Sequence, residues 1–146
     1  MLWFNGQAEE AAEFYVNLFK DSKILNKTNG PDGSIFTVEF EILGSKYTAL
    51  NGGPTFSFTE AFSIFILCQD QAEVDKYWDG LTSNGGTAGR CGWLKDKFGI
   101  SWQVTSPEMG KYLGGPDAAG SQRATQAMLG MKKIDLAAMK KAYEGS

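Results

Sequence analysis

A shift of 63 positions lays one half of this chain on the other, and no other feature limits its fold so strongly. Phe4 falls on Leu67, Ala11 on Val74, Phe14 on Tyr77, Tyr15 on Trp78 and Leu18 on Leu81. Each half runs from a short apolar strand into an amphipathic helix, then into strands with a glycine-containing hairpin, at Gly44 and at Gly99. A duplicated strand-helix-strand-strand-strand unit has one open sheet and one helix per copy, and one helix cannot cover both faces of a sheet. The economical fold is α+β: two βαβββ modules forming a cup-shaped, barrel-like mixed sheet, with helices outside and a concave face left for a small ligand. The boundaries are module one over 1–54, module two over 62–105 and a helical extension over 107–146, in one domain of 146 residues.

The elements follow from periodicity and punctuation. Leu2-Trp3-Phe4 reads as a very short strand. Ala8, Ala11, Ala12, Tyr15, Leu18 and Phe19 recur at helical spacing and predict a helix over about 7–20. Lys23–Thr28 is a modest strand closed by a turn cluster, and Ile35–Ile42 alternates apolar with polar residues. Lys46–Asn51 returns as a fourth strand. Glu39 and Glu41 on the polar side read as a solvated face, although two carboxylates so placed also suit acid-base work. Asn51-Gly52-Gly53-Pro54 reads as a linker, and Phe56, Phe58 and Phe62 around the next loop suit a lid or a dimer contact. In module two, Ser63–Cys68 is an apolar strand. Asp70-Gln71-Ala72-Glu73 then starts a helix as a capping box does, and Asn84-Gly85-Gly86 ends it. Beyond Pro107, Pro116-Asp117 opens a helix to about Gly130, and Asp135 caps another bearing Leu136, Met139 and Tyr143. Their apolar stripes suit docking on the body or on a second subunit.

Cys91–Val104 carries the most chemical information. Asp96-Lys97-Phe98-Gly99 reads as a four-residue hairpin loop, which pairs Lys95 with Ile100, Trp93 with Trp102 and Gly92 with Gln103. That register places both tryptophans on one face and leaves the Gln103 amide on the other, opposite a residue with no side chain. Such an arrangement resembles a pocket wall; a buried amide merely satisfying a hydrogen bond has the same signature.

Composition removes several function classes. The chain has no histidine, so no Ser-His-Asp or Cys-His set and no ordinary zinc site can form. A net charge of −3 without a basic run speaks against nucleic acid and anionic membranes. No apolar segment approaches the roughly 20 residues that span a bilayer, and the start lacks the pattern of a signal peptide, so a cytoplasmic protein is expected. Cys68 and Cys91 are expected as reduced thiols.

Trp3-Phe4-Asn5-Gly6-x-Ala8-Glu9-Glu10-Ala11, Phe14-Tyr15-x-x-x-Phe19-Lys20-Asp21-Ser22, Ala49-Leu50-Asn51-Gly52-Gly53-Pro54, the Cys91–Gln103 stretch and Gln126-Ala127-Met128-Leu129-x-Met131-Lys132-Lys133 extend over nearly the whole sequence. Together they resemble the PhnB-like branch of the glyoxalase, bleomycin-resistance and extradiol-dioxygenase (vicinal oxygen chelate) superfamily, many of whose members are labelled demethylubiquinone methyltransferases. The resemblance implies paired βαβββ modules, a small-molecule cup and frequent homodimers. It also implies that metal-using members hold a divalent ion with His, Gln or Glu from the first and last strands of each module. Carried over residue by residue, Gln103 occupies one such position and Ser63 stands where His is usual. The repeat shift puts the third position just before Met1, and the fourth on Thr48 or, in another register, Asn51. One neutral amide is a poor set for a hard cation, so neither a tightly held metal nor another cofactor is expected. The methyltransferase label finds no glycine-rich turn of the sort that lets a backbone approach such a cofactor. The expected function is metal-free binding of a small molecule by Gln103, Ser63, Phe65, Thr48, Asn51 and Cys91. The alternative is a lyase, isomerase or transferase acting on a small oxygenated substrate, with Glu39, Glu41, Tyr47 or the Cys91 thiol moving protons.

Overall fold

Alternation decides which face of each sheet is covered. The computed structural model describes residues 1–146, and the chain divides into two units, Met1–Phe58 and Thr59–Ser146. The first unit runs β1 (Leu2–Phe4), α1 (Ala8–Leu18), β2 (Lys23–Asn29), β3 (Ile35–Ile42) and β4 (Ser45–Asn51). Its sheet has the order β1-β4-β3-β2, with β1 parallel to β4 and the other pairs antiparallel. Val38, Phe40 and Ile42 of β3 are buried together with Leu2, Phe4 and Ala49, and Ala8, Ala11, Ala12 and Tyr15 are the buried residues of α1. Three alanines let the helix approach closely. Phe40 stacks with both Tyr15 and Tyr47. Leu43 and Gly44, at φ of 49° and 81°, make the two-residue turn between β3 and β4, as such hairpins require.

The second unit runs β5 (Ile64–Leu67), α2 (Gln71–Thr82), β6 (Thr87–Ala88), β7 (Trp93–Lys95), β8 (Ser101–Thr105), α3 (Met109–Leu113), α4 (Ala118–Leu129) and α5 (Leu136–Glu144). Its sheet repeats the topology as β5-β8-β7-β6, with β5 parallel to β8. Asp70 caps α2 by accepting from the Glu73 N–H at 2.9 Å, and the Glu73 carboxylate accepts from the Gln69 N–H. Val74, Tyr77, Trp78 and Leu81 are the buried stripe of that helix. Each sheet keeps its own edge strands, so neither closes into a barrel. No helix is long and apolar enough to cross a membrane.

The structure corrects the repeat by one residue at the first strand. The 63-residue shift holds for the helices, where Ala11 and Tyr15 are buried as Val74 and Trp78 are. It fails on the strands, because Phe4 is buried whereas Leu67 is 57% exposed. Pairing gives the true equivalence: Leu2 lies beside Ala49 and Ile64 beside Trp102, so the strands match at a shift of 62. Module two has one residue more between strand and helix. In a strand that single residue exchanges the two faces.

The tail docks on its own unit. The N–H groups of Cys91 and Gly92 donate to the carbonyls of Met131 and Lys132 at 2.9 and 2.8 Å. Gln71 uses both ends of its amide there, donating to the Ile134 carbonyl and accepting from the Leu136 N–H. Ile134 and Met139 are fully buried, and Lys133 pairs with Asp75 and Asp79. The helix α3 carries no clear sequence signal: it has five residues and no side-chain cap.

Candidate functional site

The hairpin that links β7 to β8 is built around a buried carboxylate. Asp96 is 3% exposed. Its Oδ1 accepts from the N–H groups of Phe98 and Ile100, at 2.9 and 3.0 Å, and its Oδ2 accepts from the Trp102 indole at 2.8 Å. Closing the loop on Asp96 takes Ile100 out of the strand, so Lys95 pairs with Ser101, Leu94 with Trp102 and Trp93 with Gln103. The register expected from sequence, Lys95 with Ile100, is therefore off by one. The two tryptophans lie on opposite faces, and Gln103 faces no glycine. Gly92 instead serves the backbone, donating to Lys132 and accepting from Val104.

With this register the second sheet has one covered and one open face. Ile64, Ile66, Leu94, Trp102 and Val104 are buried. Alternation puts Phe65, Leu67, Trp93, Lys95 and Gln103 on the other side, where Phe65 is 56% exposed. Gln103 is in register with Trp93 on one side and Phe65 on the other. Its Nε2 donates to the Ser63 hydroxyl at 3.0 Å. A polar pair thus sits between two aromatic side chains. A cavity of about 270 Å³ shares Trp93 with this arrangement and is otherwise lined by Leu94, Lys95, Ser101, Glu60 and the Thr87–Gly89 edge, so Gln103, Ser63 and Phe65 are not part of its wall. Lys95 is ion-paired with Glu60, and that bond holds the Glu60 carboxyl below its ordinary pKa. Sequence reasoning missed Trp93, Lys95 and Glu60 as site residues. Asp96, a residue type that folds its own loop by accepting backbone N–H groups, is the signal that would have put Trp93 on the face of Gln103; nothing in the sequence marks Glu60.

The remaining expected residues lie elsewhere. Cys91 is half-buried, at a φ of 53°, with its thiol 3.6 Å from the Met128 carbonyl, so it belongs to the tail contact. Thr48 and Asn51 are in the first unit. Asn51 is fully used in tying elements together: its Oδ1 accepts from the Ala8 N–H at the start of α1, and its Nδ2 donates to the Ile35 carbonyl. It also borders an open cleft of about 640 Å³ with Glu9, Asp32 and Phe36. Thr48 pairs with Glu39 on the outer face of the first sheet. Glu41 lies in register between Lys23 and Lys46. Burial raises the Tyr47 phenol above its ordinary pKa, away from proton transfer near neutrality. Within the first unit Tyr47 is in register with Phe40, on the face opposite Glu39 and Glu41.

A divalent ion does not suit these donors. The pairing that sets Phe65 beside Gln103 sets Trp3 beside Leu50, and Ser63 then corresponds to Met1. The positions just before Met1, Thr48 and Asn51, considered from sequence, give way to Met1 and Leu50. Module one offers a thioether and an alkyl chain, and module two a neutral hydroxyl and amide already bonded to each other. Hard cations want several oxygen donors with carboxylate charge among them. No cluster of three His, Cys, Asp or Glu side chains occurs anywhere in the chain.

Residues 1–105 match the family model described as 3-demethylubiquinone-9 3-methyltransferase. A Bacillus cereus protein described as PhnB and assigned to that methyltransferase group is 28% identical, with a TM-score of 0.66 over 72% of this chain and 95% of its own. A Pseudomonas aeruginosa protein is 18% identical, with a TM-score of 0.58 over 72% of this chain and 93% of that one. A glyoxalase/bleomycin resistance protein from Albidiferax ferrireducens is 15% identical, with a TM-score of 0.50 over 70% of this chain and 90% of its own. These likenesses place the fold among glyoxalase/bleomycin-resistance proteins. No curated protein matches the chain.

Proposed function

The chain belongs to the 3-demethylubiquinone-9 3-methyltransferase (PhnB-like) family, and from that premise we propose that it binds a small organic molecule without a metal ion, on the open face of the β5–β8 sheet. The observation that carries this reading is the Gln103–Ser63 pair set between Trp93 and Phe65, with Trp93 also forming a wall of a cavity. Ligand sites combine apolar walls with a few fixed polar groups, and this face has that composition. A neutral amide can donate and accept at once, which suits a carbonyl or hydroxyl on the ligand. Methyl transfer, the chemistry in the family's description, finds little support in these residues: the turn after β1, Asn5-Gly6-Gln7, has a single glycine.

Thermal unfolding with a panel of small aromatic and carbonyl compounds, with and without a chelator, tests the reading. A stabilising compound is expected to raise the melting temperature equally in both conditions, because only ligand binding to the folded state is involved. Gln103→Leu, which gives module two the residue that module one has at Leu50, is expected to abolish the rise. Stabilisation that appears only with an added divalent ion would overturn the proposal.

A further inference from the structure

We propose that the ligand is an aromatic or similarly flat acid, that its carboxylate is anchored by Lys95, and that Glu60 occupies this anchor until the ligand arrives. The inference rests on the binding reading above and deepens it. Lys95 is the last residue of β7 and is paired on both sides, with Thr87 and with Ser101. Its ammonium is therefore presented from a fixed wall of the cavity that Trp93 also lines. Its partner is differently placed. Glu60 belongs to the turn that precedes β5, and its side chain is 69% exposed against 42% for Lys95. The cation is held by the sheet and the anion by a loop.

That asymmetry decides which charge a ligand replaces. Displacing Glu60 breaks one exposed ion pair, a weak interaction in water, and returns a carboxylate to solvent. The Lys95 backbone is fixed on both sides by the sheet, so its ammonium stays within reach of the cavity, whereas Glu60 sits on a turn. An incoming carboxylate regains the same ammonium, and its ring gains the Trp93 wall. An amine would have to pair with Glu60 next to the lysine already bonded to it, which places two like charges together. The cavity of about 270 Å³ suits a single-ring compound.

Three probes of one shape and different charge test this: benzoate, benzyl alcohol and benzylamine, titrated calorimetrically into the full chain. Benzoate is expected to bind tightest. Glu60→Gln should tighten benzoate roughly two- to fivefold, the size of an exposed ion pair, by removing the competitor. Lys95→Met should weaken benzoate by roughly tenfold and leave benzyl alcohol within about twofold, since only the charged contact is lost. Glu60 is exposed and Lys95 half-buried, and an unchanged melting temperature of each variant confirms that folding is intact. Equal binding of benzoate and benzyl alcohol, both insensitive to Lys95→Met, overturns the anchor while the metal-free reading stands. Preference for benzylamine, lost in Glu60→Gln, overturns it by reversing the roles. Binding of none of the three overturns it too, and the chelator experiment then decides the broader reading separately.

Discussion

The two modules share one strand order and differ in almost everything their open faces offer. Module one builds its sheet from strands of seven and eight residues after β1, and turns β3 into β4 with two residues at positive φ. Module two makes do with strands of two to five residues, and its hairpin is closed by a side chain. Where module one has Leu50, module two has Gln103. Long strands satisfy their own backbones and leave little for side chains to do. Short ones depend on Asp96, Gln71 and the tail, and their sheet has one face that combines an amide, a hydroxyl, a lysine, the half-buried Trp93 and the exposed Phe65. The two copies share a frame, and the copy with the shorter strands presents the more polar candidate site.

The largest expected effect separates the two hairpins. Asp96→Ala orphans two backbone N–H groups and an indole N–H, and is expected to cost about 3 kcal/mol or more of unfolding free energy in denaturant titration. Gly44→Ala, at the corresponding turn of module one, should cost only about 1 kcal/mol, since its Cβ would meet nothing and only the positive φ is strained. Equal losses would break the contrast between a turn held by a side chain and one held by backbone conformation.

A middle-sized effect concerns the tail. Gln71→Ala unpairs the Ile134 carbonyl and the Leu136 N–H, and is expected to cost about 1–2 kcal/mol. Hydrogen exchange should accelerate at the amides of Cys91 and Gly92, and should leave β3 and β4 unchanged. Acceleration spread evenly over both modules would show that the tail is not a local fastening of module two.

The smallest is confined to alkaline pH and again to the second unit. The buried Tyr112 donates its phenolic proton to Glu108 at 2.6 Å, and this bond, with burial adding to it, raises the phenol to about 12 from 10.0. A raised pKa means that the folded form holds the proton more tightly. The contribution is therefore complete below pH 10 and is lost as pH rises through about 12. Absorbance titration should show a late tyrosine component near pH 12, and Tyr112→Phe should remove it while leaving the smaller upward shift of Tyr47 in place.

Much of this was readable beforehand, and what was not has a common cause. Strand alternation at Val38, Phe40 and Ile42 and the caps at Asp70, Asp117 and Asp135 are written in residue types and were correctly expected. The site was half legible: Gln103, Ser63 and Phe65 do come together. Trp93 was assigned to the wrong face, because one residue drawn into the Asp96 loop reverses every side chain beyond it. Asn51 misses the position equivalent to Gln103, Leu50, by one residue and so falls on the other face, while Thr48 misses it by two and keeps the face but not the place. The tail contact was invisible for another reason. It is made by backbone N–H and C=O groups at Cys91, Gly92, Met131 and Lys132, and backbone groups are the same in every sequence.

That backbone contact imposes an order on biosynthesis. As the chain leaves the ribosome, module one has every strand it needs before module two begins to emerge, since domains form from the N-terminus onward. The strand bearing Trp93 emerges with two amides unfilled and must wait for Met131 and Lys132 before its last bonds can close. In that interval the nascent second sheet is the vulnerable part, the natural place for a chaperone to hold or a protease to cut.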